Sequence, residues 1–176
     1  IERKRPLQVV RVFTSAAMRC GDREVELSMY GDGPLRARLA QEAAASGAAD
    51  RIALVGRVER DELARAFARA DIYLHTSPVE SFGISVLEAR SAGLAVIALR
   101  TSTSGVGDFI TDGVDGLLAD DDAGLADALT SLLRAPGLLE RIKEHNRTVA
   151  PLSEWATVTE MNVNAYRRAI ALREGL

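Results

Sequence analysis

Asp71-Ile72-Tyr73-Leu74-His75-Thr76-Ser77-Pro78-Val79-Glu80-Ser81-Phe82-Gly83-Ile84-Ser85-Val86-Leu87-Glu88-Ala89-Arg90-Ser91-Ala92-Gly93-Leu94-Ala95-Val96-Ile97-Ala98-Leu99 contains a whole strand–helix–strand unit. The run 71–75 predicts a strand, and Pro78 turns the chain out of it. A helix is expected from about Phe82 to Ala92, ended by Gly93. Ala95–Leu99 is apolar on both faces, which suits a strand in a parallel sheet covered by helices on either side. Two parallel strands need a right-handed crossover, and the intervening helix is long enough to make it.

The same alternation extends in both directions. Upstream, Val25–Tyr30 predicts a strand stopped by Gly31-Asp32-Gly33, and Pro34 opens a helix that ends at Gly47. Arg51–Val55 predicts the next strand, closed by Gly56. Asp61 is expected to cap a helix that buries Leu63, Ala66, Phe67 and Ala70 along one face. Downstream, a short helix is expected at about 106–111, a strand at Gly116–Ala119, and a helix to Leu133 capped by Asp121 or Asp122. Two more helices follow, at about 137–146 and 154–173. Residues 7–19 fit a helix through Leu7, Val10, Phe13 and Ala17, although Val9–Phe13 also fits a strand; helix is favoured. The fold class is α/β: a doubly wound, Rossmann-like parallel sheet in a three-layer α/β/α arrangement, forming a single domain over 1–176.

Composition excludes several alternatives. Lys and Arg total 22 against 25 Asp and Glu, a net charge of −3 that gives no electrostatic reason to expect nucleic acid. The one cysteine, Cys20, excludes an internal disulfide framework and a CxxC zinc site, and reads as an inert packing or surface thiol. No uncharged apolar run approaches the ~18 residues of a membrane helix, and the first residues lack the apolar segment of a signal peptide. A soluble, cytoplasmic domain is expected. Asp120-Asp121-Asp122 reads as a solvated helix start rather than a metal site.

In doubly wound sheets, ligands bind beyond the carboxyl ends of the strands, where helix N-termini present unpaired amides. Thr76–Glu88 fits that description. Gly83 has no side chain, so an anion can approach the amides of Phe82, Gly83 and Ile84. Glu88, further along the helix, can accept hydrogen bonds from the vicinal hydroxyls of a ribose. The plainer reading stays open beside it: a Glu near a helix start commonly does no more than stabilise the dipole. No P-loop or dinucleotide fingerprint is present. His75 and His145 are the only histidines; His75 reads as structural, with a ligand contact left open by its place at a strand end.

Glu80 and Glu88 together resemble the E-x7-E pattern of retaining glycosyltransferases of family 4, the glycosyltransferase group 1 enzymes of the GT-B fold. Four further stretches agree in order. Tyr30-Gly31-Asp32-Gly33-Pro34 resembles the family's GDGP turn, and Val55-Gly56-Arg57-Val58 its LGRV turn. Asp112-Gly113-Val114-Asp115-Gly116-Leu117-Leu118 resembles its DGxNGLL stretch, and Ser153-Glu154-Trp155, loosely, its late SW motif.

The resemblance implies an enzyme of two Rossmann-like halves, with residues 1–176 matching the C-terminal, donor-binding half. Glu80 would contact hydroxyls of the donor sugar, and Glu88 those of the ribose. The amides of Phe82, Gly83 and Ile84, with Ser81 in the same loop, would hold the diphosphate. Arg57 and Val58 would border the base, and the Gly31–Gly33 turn would line the cleft. Lys4 matches the Lys of a GR…KG segment, so Glu80 and Lys4 are the implied catalytic pair. The implied reaction transfers a glycosyl group from a UDP-, GDP- or ADP-sugar with retention, using no divalent metal and no other cofactor. Implied partners are that nucleotide sugar and the N-terminal acceptor-binding domain of the same enzyme. Nucleic acid is not among them, and any membrane association would be peripheral, through the other half.

Three departures qualify the likeness. Ala95 stands where the family often has Pro, and Asp108 where it carries the longer Glu. The family's first strand and its partner Arg fall before Ile1, so the sheet is expected to lack or substitute a central strand. The helix over 152–176 is expected to pack in part on the N-terminal domain, through Trp155, Val158, Ala165, Tyr166, Ala169 and Ile170. Two other functions remain open: a non-catalytic α/β nucleotide-binding or interaction module, and a GT-B nucleotide-sugar 2-epimerase.

Overall fold

Strand β1 (Leu27–Tyr30) runs parallel to β2 (Ile52–Gly56), while β3 (Ile72–His75), β4 (Ala95–Leu99) and β5 (Gly116–Ala119) form a second parallel set in that order. This is the arrangement in a computed structural model of the chain, which describes residues 2–21, 23–80, 82–150 and 155–174. Among the described residues no ladder joins β1 to β3. The order 3-2-1-4-5-6 with its central strand removed leaves these two sets. The interruption therefore falls where the resemblance places the first strand of the family.

Among the described residues, eight α-helices surround the strands: α1 (Pro6–Cys20), α2 (Arg36–Ala45), α3 (Arg60–Arg69), α4 (Ile84–Ser91), α5 (Val106–Phe109), α6 (Asp122–Arg134), α7 (Pro136–Thr148) and α8 (Trp155–Glu174). The helix reading of residues 7–19 holds, because Val10, Val12, Phe13, Ala16 and Ala17 are buried along α1. The cap of α6 is Asp121, whose Oδ1 accepts the Gly124 amide at 2.7 Å. The expected cap at Asp61 is corrected. Glu59 takes the cap position in extended backbone without a side-chain bond, and Asp61 lies inside the first turn. There its charge still favours the positive end of the helix. No described helix is long and apolar enough to cross a membrane.

Strand β4 is buried throughout and divides its side chains between two clusters. Ala95, Ile97 and Leu99 join Val12, Phe13, Ala16, Leu125, Leu132 and Ile142, from α1, α6 and α7. Val96 and Ala98 join Val86, Val106 and Ile110 on the opposite face. Period-two alternation in a strand buried on both sides gives the three layers expected from the sequence. The first pair of strands meets the larger cluster through half-buried Leu27 and Ile52, joined by Val25 just before β1. Its helices are shallow: α2 buries only Ala43, and α3 buries no residue fully.

A buried ionic clasp closes the second face. Arg90, at the end of α4, donates to Asp115 Oδ1 at 3.0 Å, with both side chains only 6% exposed. His145 Nε2 lies 3.0 Å from the same oxygen, and the Thr111 amide donates to Asp115 Oδ2 at 2.9 Å. Asn146 donates to the carbonyls of Leu94 and Asp115, both at 2.7 Å. The clasp thus ties α4 and α7 to the turn before β5.

Two stability predictions follow from buried titratable groups. Burial alone would raise the Asp115 carboxyl, but the Thr111 amide, Arg90 and His145 hold it below its ordinary value. Asp115→Asn strands the Arg90 charge, and breaking a buried pair in this way costs about 3–5 kcal/mol at pH 7. Because the native value is depressed, that stability is complete above the ordinary carboxylate pKa and drains away in acid. Urea unfolding should therefore show the gap between wild type and variant narrowing below about pH 4. His75, at the end of β3, is 4% exposed; burial first, then the Lys4 charge, push it down to about 4. The unfolded chain takes up this proton below about pH 6.5, so stability falls as pH drops from there towards 4, by about 3 kcal/mol in full. His75→Leu should flatten urea-derived stability across that window; an unchanged slope would reject the assignment.

Candidate active site

The loop from β3 to α4 is pinned by hydroxyl groups. Thr76 and Ser77 are buried, and Ser77 Oγ donates to the Val79 carbonyl at 2.9 Å. From the loop after β4, Thr101 and Thr103 both donate to the Pro78 carbonyl, at 2.6 and 2.8 Å. Glu80 then forms an isolated parallel bridge with Ser104, and its carbonyl accepts the Gly105 amide at 3.0 Å. The Glu80 main chain is therefore held from a neighbouring strand end. Sequence reading missed Thr101 and Thr103; their one visible signal is a polar Thr-Ser-Thr-Ser run that follows Arg100 at the end of an apolar strand.

Lys4 reaches this loop from the other end of the sequence. Thr76 Oγ1 lies 3.1 Å from the Lys4 carbonyl and 3.3 Å from that of Arg5, serving both as donor. Arg5 adopts a left-handed backbone with φ 46°, the one non-glycine among the described residues to do so. Its guanidinium pairs with Asp122 at 2.6 Å and reaches the Thr76 carbonyl at 3.4 Å. Held in this way, Lys4 places Nζ 3.0 Å from Glu80 Oε2. The Lys4 ammonium, as hydrogen-bond donor and as charge, keeps the Glu80 carboxyl below its usual range.

Gly83 opens α4. Its φ is +59°, a left-handed value that favours glycine, and an added Cβ would lie 3.1 Å from Val106 Cγ2. The ladder of α4 begins with the Val86 and Leu87 amides donating to the Gly83 carbonyl at 2.8 and 3.1 Å, so the amides before them lie outside it. Such a start suits an anion. Phe82 and Ile84 flank it, exposed by 54% and 62%, and Phe82 packs on Phe109 with ring centroids 5.5 Å apart. Ser81 lies outside the described residues. Glu88 follows on the same helix, half-exposed, with Oε1 3.9 Å from Arg60 NH2 of α3. Arg60 carried no sequence signal.

Asp32, Gly33 and Arg57 line a cleft of about 510 Å³ between the turns that follow β1 and β2. Gly31 supports it, its amide donating to the Gly56 carbonyl at 2.7 Å, and the Asp32 carboxylate accepts the Gly33 amide at 2.8 Å. Val58 is half-buried and is not among the described residues that line the cleft. A smaller cavity of about 190 Å³, which the sequence did not suggest, lies between the starts of α1 and α2 and includes Arg5, Arg11 and Arg38 in its lining. Arg5 and Arg11 are already neutralised there, by Asp122 and Glu42, each at 2.6 Å.

Comparison with known proteins identifies the family. The profile of the family described as "Glycosyl transferases group 1" matches residues 1–149. The gpi3 subunit of phosphatidylinositol N-acetylglucosaminyltransferase from Schizosaccharomyces pombe is 30% identical over 81% of this chain and 31% of its own length. Phosphatidyl-myo-inositol mannosyltransferase from Mycobacterium leprae is 31% identical over 94% of this chain and 43% of its own. The chain thus spans well under half the length of these curated relatives. Among solved structures, the pneumococcal O-GlcNAc transferase GtfA, in complex with UDP and GlcNAc, superposes with a TM-score of 0.73 at 24% identity, over 83% of this chain and 29% of that one. Anabaena HepE in complex with UDP gives 0.72 at 21%, over 90% and 44%. With the family profile covering most of its residues, this chain belongs to the group 1 glycosyl transferases.

Proposed function

We propose that residues 1–176 are the nucleotide-sugar-binding, C-terminal half of a retaining, metal-independent glycosyltransferase. The observation that carries this reading is the meeting of Lys4, Glu80 and the glycine-opened start of α4 at the strand ends, from positions 76 residues apart. The UDP-bound neighbours of the same fold support a nucleotide donor.

In this reading the nucleoside occupies the cleft at Asp32, Gly33 and Arg57, whose volume lies within the range of small-molecule sites. Glu88 takes the ribose hydroxyls. The amides of Phe82, Gly83 and Ile84 take the diphosphate. As the bond from the anomeric carbon to the phosphate oxygen breaks, negative charge grows on the leaving diphosphate. Preorganised amides and the Lys4 ammonium stabilise that charge most where water is excluded. Glu80 orients the sugar through its hydroxyls, and an acceptor hydroxyl, held by the other half of the enzyme, completes the transfer. The exposed side chains of Ala165, Tyr166 and Ile170 on α8 fit a helix that packs on that half. The expected contribution of Trp155, Val158 and Ala169 to this face concerns side chains outside those described, as do Ser153 and Glu154 of the late motif.

Calorimetric titration with UDP, GDP and ADP tests the donor reading: one should bind, and no heat from any of them at millimolar concentration would overturn it. Losing hydrogen bonds from a charged carboxylate should make Glu88→Ala bind the nucleotide about tenfold to a hundredfold more weakly. Equal affinity would reject the role of Glu88. In the complete enzyme, Glu80→Gln should lower kcat far more than it weakens donor affinity.

A further inference from the structure

A carboxylate of the protein itself already lies beside the start of α4, paired with Lys4. Glu80 Oε2 lies 3.0 Å from Lys4 Nζ, and the Glu80 side chain lies beside Gly83, where an added Cβ would sit 3.7 Å from Glu80 Cγ. Lys4 and the amides around Gly83 are the groups that the donor reading gives to the diphosphate. Here the first is paired with Glu80, and the second lie beside its side chain.

The arrangement is built to change partners. The Lys4 main chain is fixed by Thr76, and that of Glu80 by Gly105 and the Thr103 carbonyl, so neither backbone need move. Their side chains are freer, 56% exposed for Lys4 and 21% for Glu80. A pair this open shifts an equilibrium by no more than about fivefold. His75, the other basic group coupled to Glu80, is buried and neutral at pH 7, so the charge facing Glu80 there is that of Lys4.

Resting on the donor-site reading, we infer that Glu80 is a resident substitute for the diphosphate and exchanges places with it. An incoming nucleotide sugar takes Lys4 and the Gly83 amide, and the released Glu80 carboxylate turns to the sugar hydroxyls. A nucleoside diphosphate without its sugar must displace Glu80 and offers it nothing in return. After transfer, Glu80 reclaims Lys4 and weakens the hold on the spent nucleotide. The exchange thus selects the whole donor over its product.

The test is a cycle of calorimetric titrations with UDP, with GDP and ADP run alongside, on wild type, Glu80→Gln, Lys4→Met and the double variant. Glu80→Gln should bind the nucleoside diphosphate up to about fivefold more tightly than wild type. In the Lys4→Met background the same change should leave affinity almost unaltered. An equal gain in both backgrounds would mean simple repulsion between Glu80 and the phosphates, and would overturn the exchange. Unchanged or weaker binding by Glu80→Gln would overturn it as well. Glu80→Ala provides a second variant free of the residual amide contact and should follow Glu80→Gln. A wild type that binds while these variants fail removes the exchange alone; a wild type that binds no nucleotide removes the donor site and the exchange with it.

Discussion

Strand β4 offers no polar side chain to either of its neighbours, and most of the architecture follows from that. A strand apolar on both faces must be covered on both, so α1, α6 and α7 close one side and α4 and α5 the other. Apolar burial at roughly 25 cal/mol per Å² makes this the least negotiable part of the chain. Strand β4 and its parallel partner β3 then send their carboxyl ends in one direction, so the loops that begin at Thr76 and Arg100 emerge side by side. Hydroxyls from the second loop pin the first. The site is thus assembled by the register of a hydrophobic strand, before any charged residue takes part.

Above that rigid base, the charged residues are of two kinds. Arg90 and Asp115 are sealed, with each polar contact directed at another part of the fold. Removing one partner is costly because the other has no water to turn to. Lys4, Glu80, Glu88 and Arg60 are open to solvent in varying degree, and their pairs are correspondingly weak. The division suits the proposed donor site. The sealed pair holds the helix that carries Glu88, while the open residues remain available to a ligand.

Much of this was legible in the sequence because the signals were local. The apolar run 95–99, the glycine punctuation at Gly47, Gly56 and Gly93, and helical spacing along α1 each report a nearest-neighbour preference that the tertiary structure also obeys. The E-x7-E spacing placed Glu80 and Glu88 in the right loop and helix. What escaped was long-range. That Thr101 and Thr103 would hold Pro78, that Arg60 would face Glu88, or that Thr76 would fasten Lys4 depends on which strand ends lie together. No window of sequence contains that information. The cap of α3 failed for a different reason: three charged residues, Glu59, Arg60 and Asp61, compete at that turn, and the extended backbone needed at a cap fell on Glu59.

The uneven cover of the sheet has a dynamic corollary. Beside the first two strands, α2 buries only Ala43 and α3 no residue fully, whereas α6 buries five residues and β4 all of its own. Local opening is easiest where few buried apolar contacts must be broken together. Amide hydrogens of α2 and α3 are therefore expected to exchange with solvent sooner than those of β4 or α6. The turns bearing Asp32, Gly33 and Arg57 adjoin these lightly buried helices, while Glu80 is anchored by the loop that leaves β4.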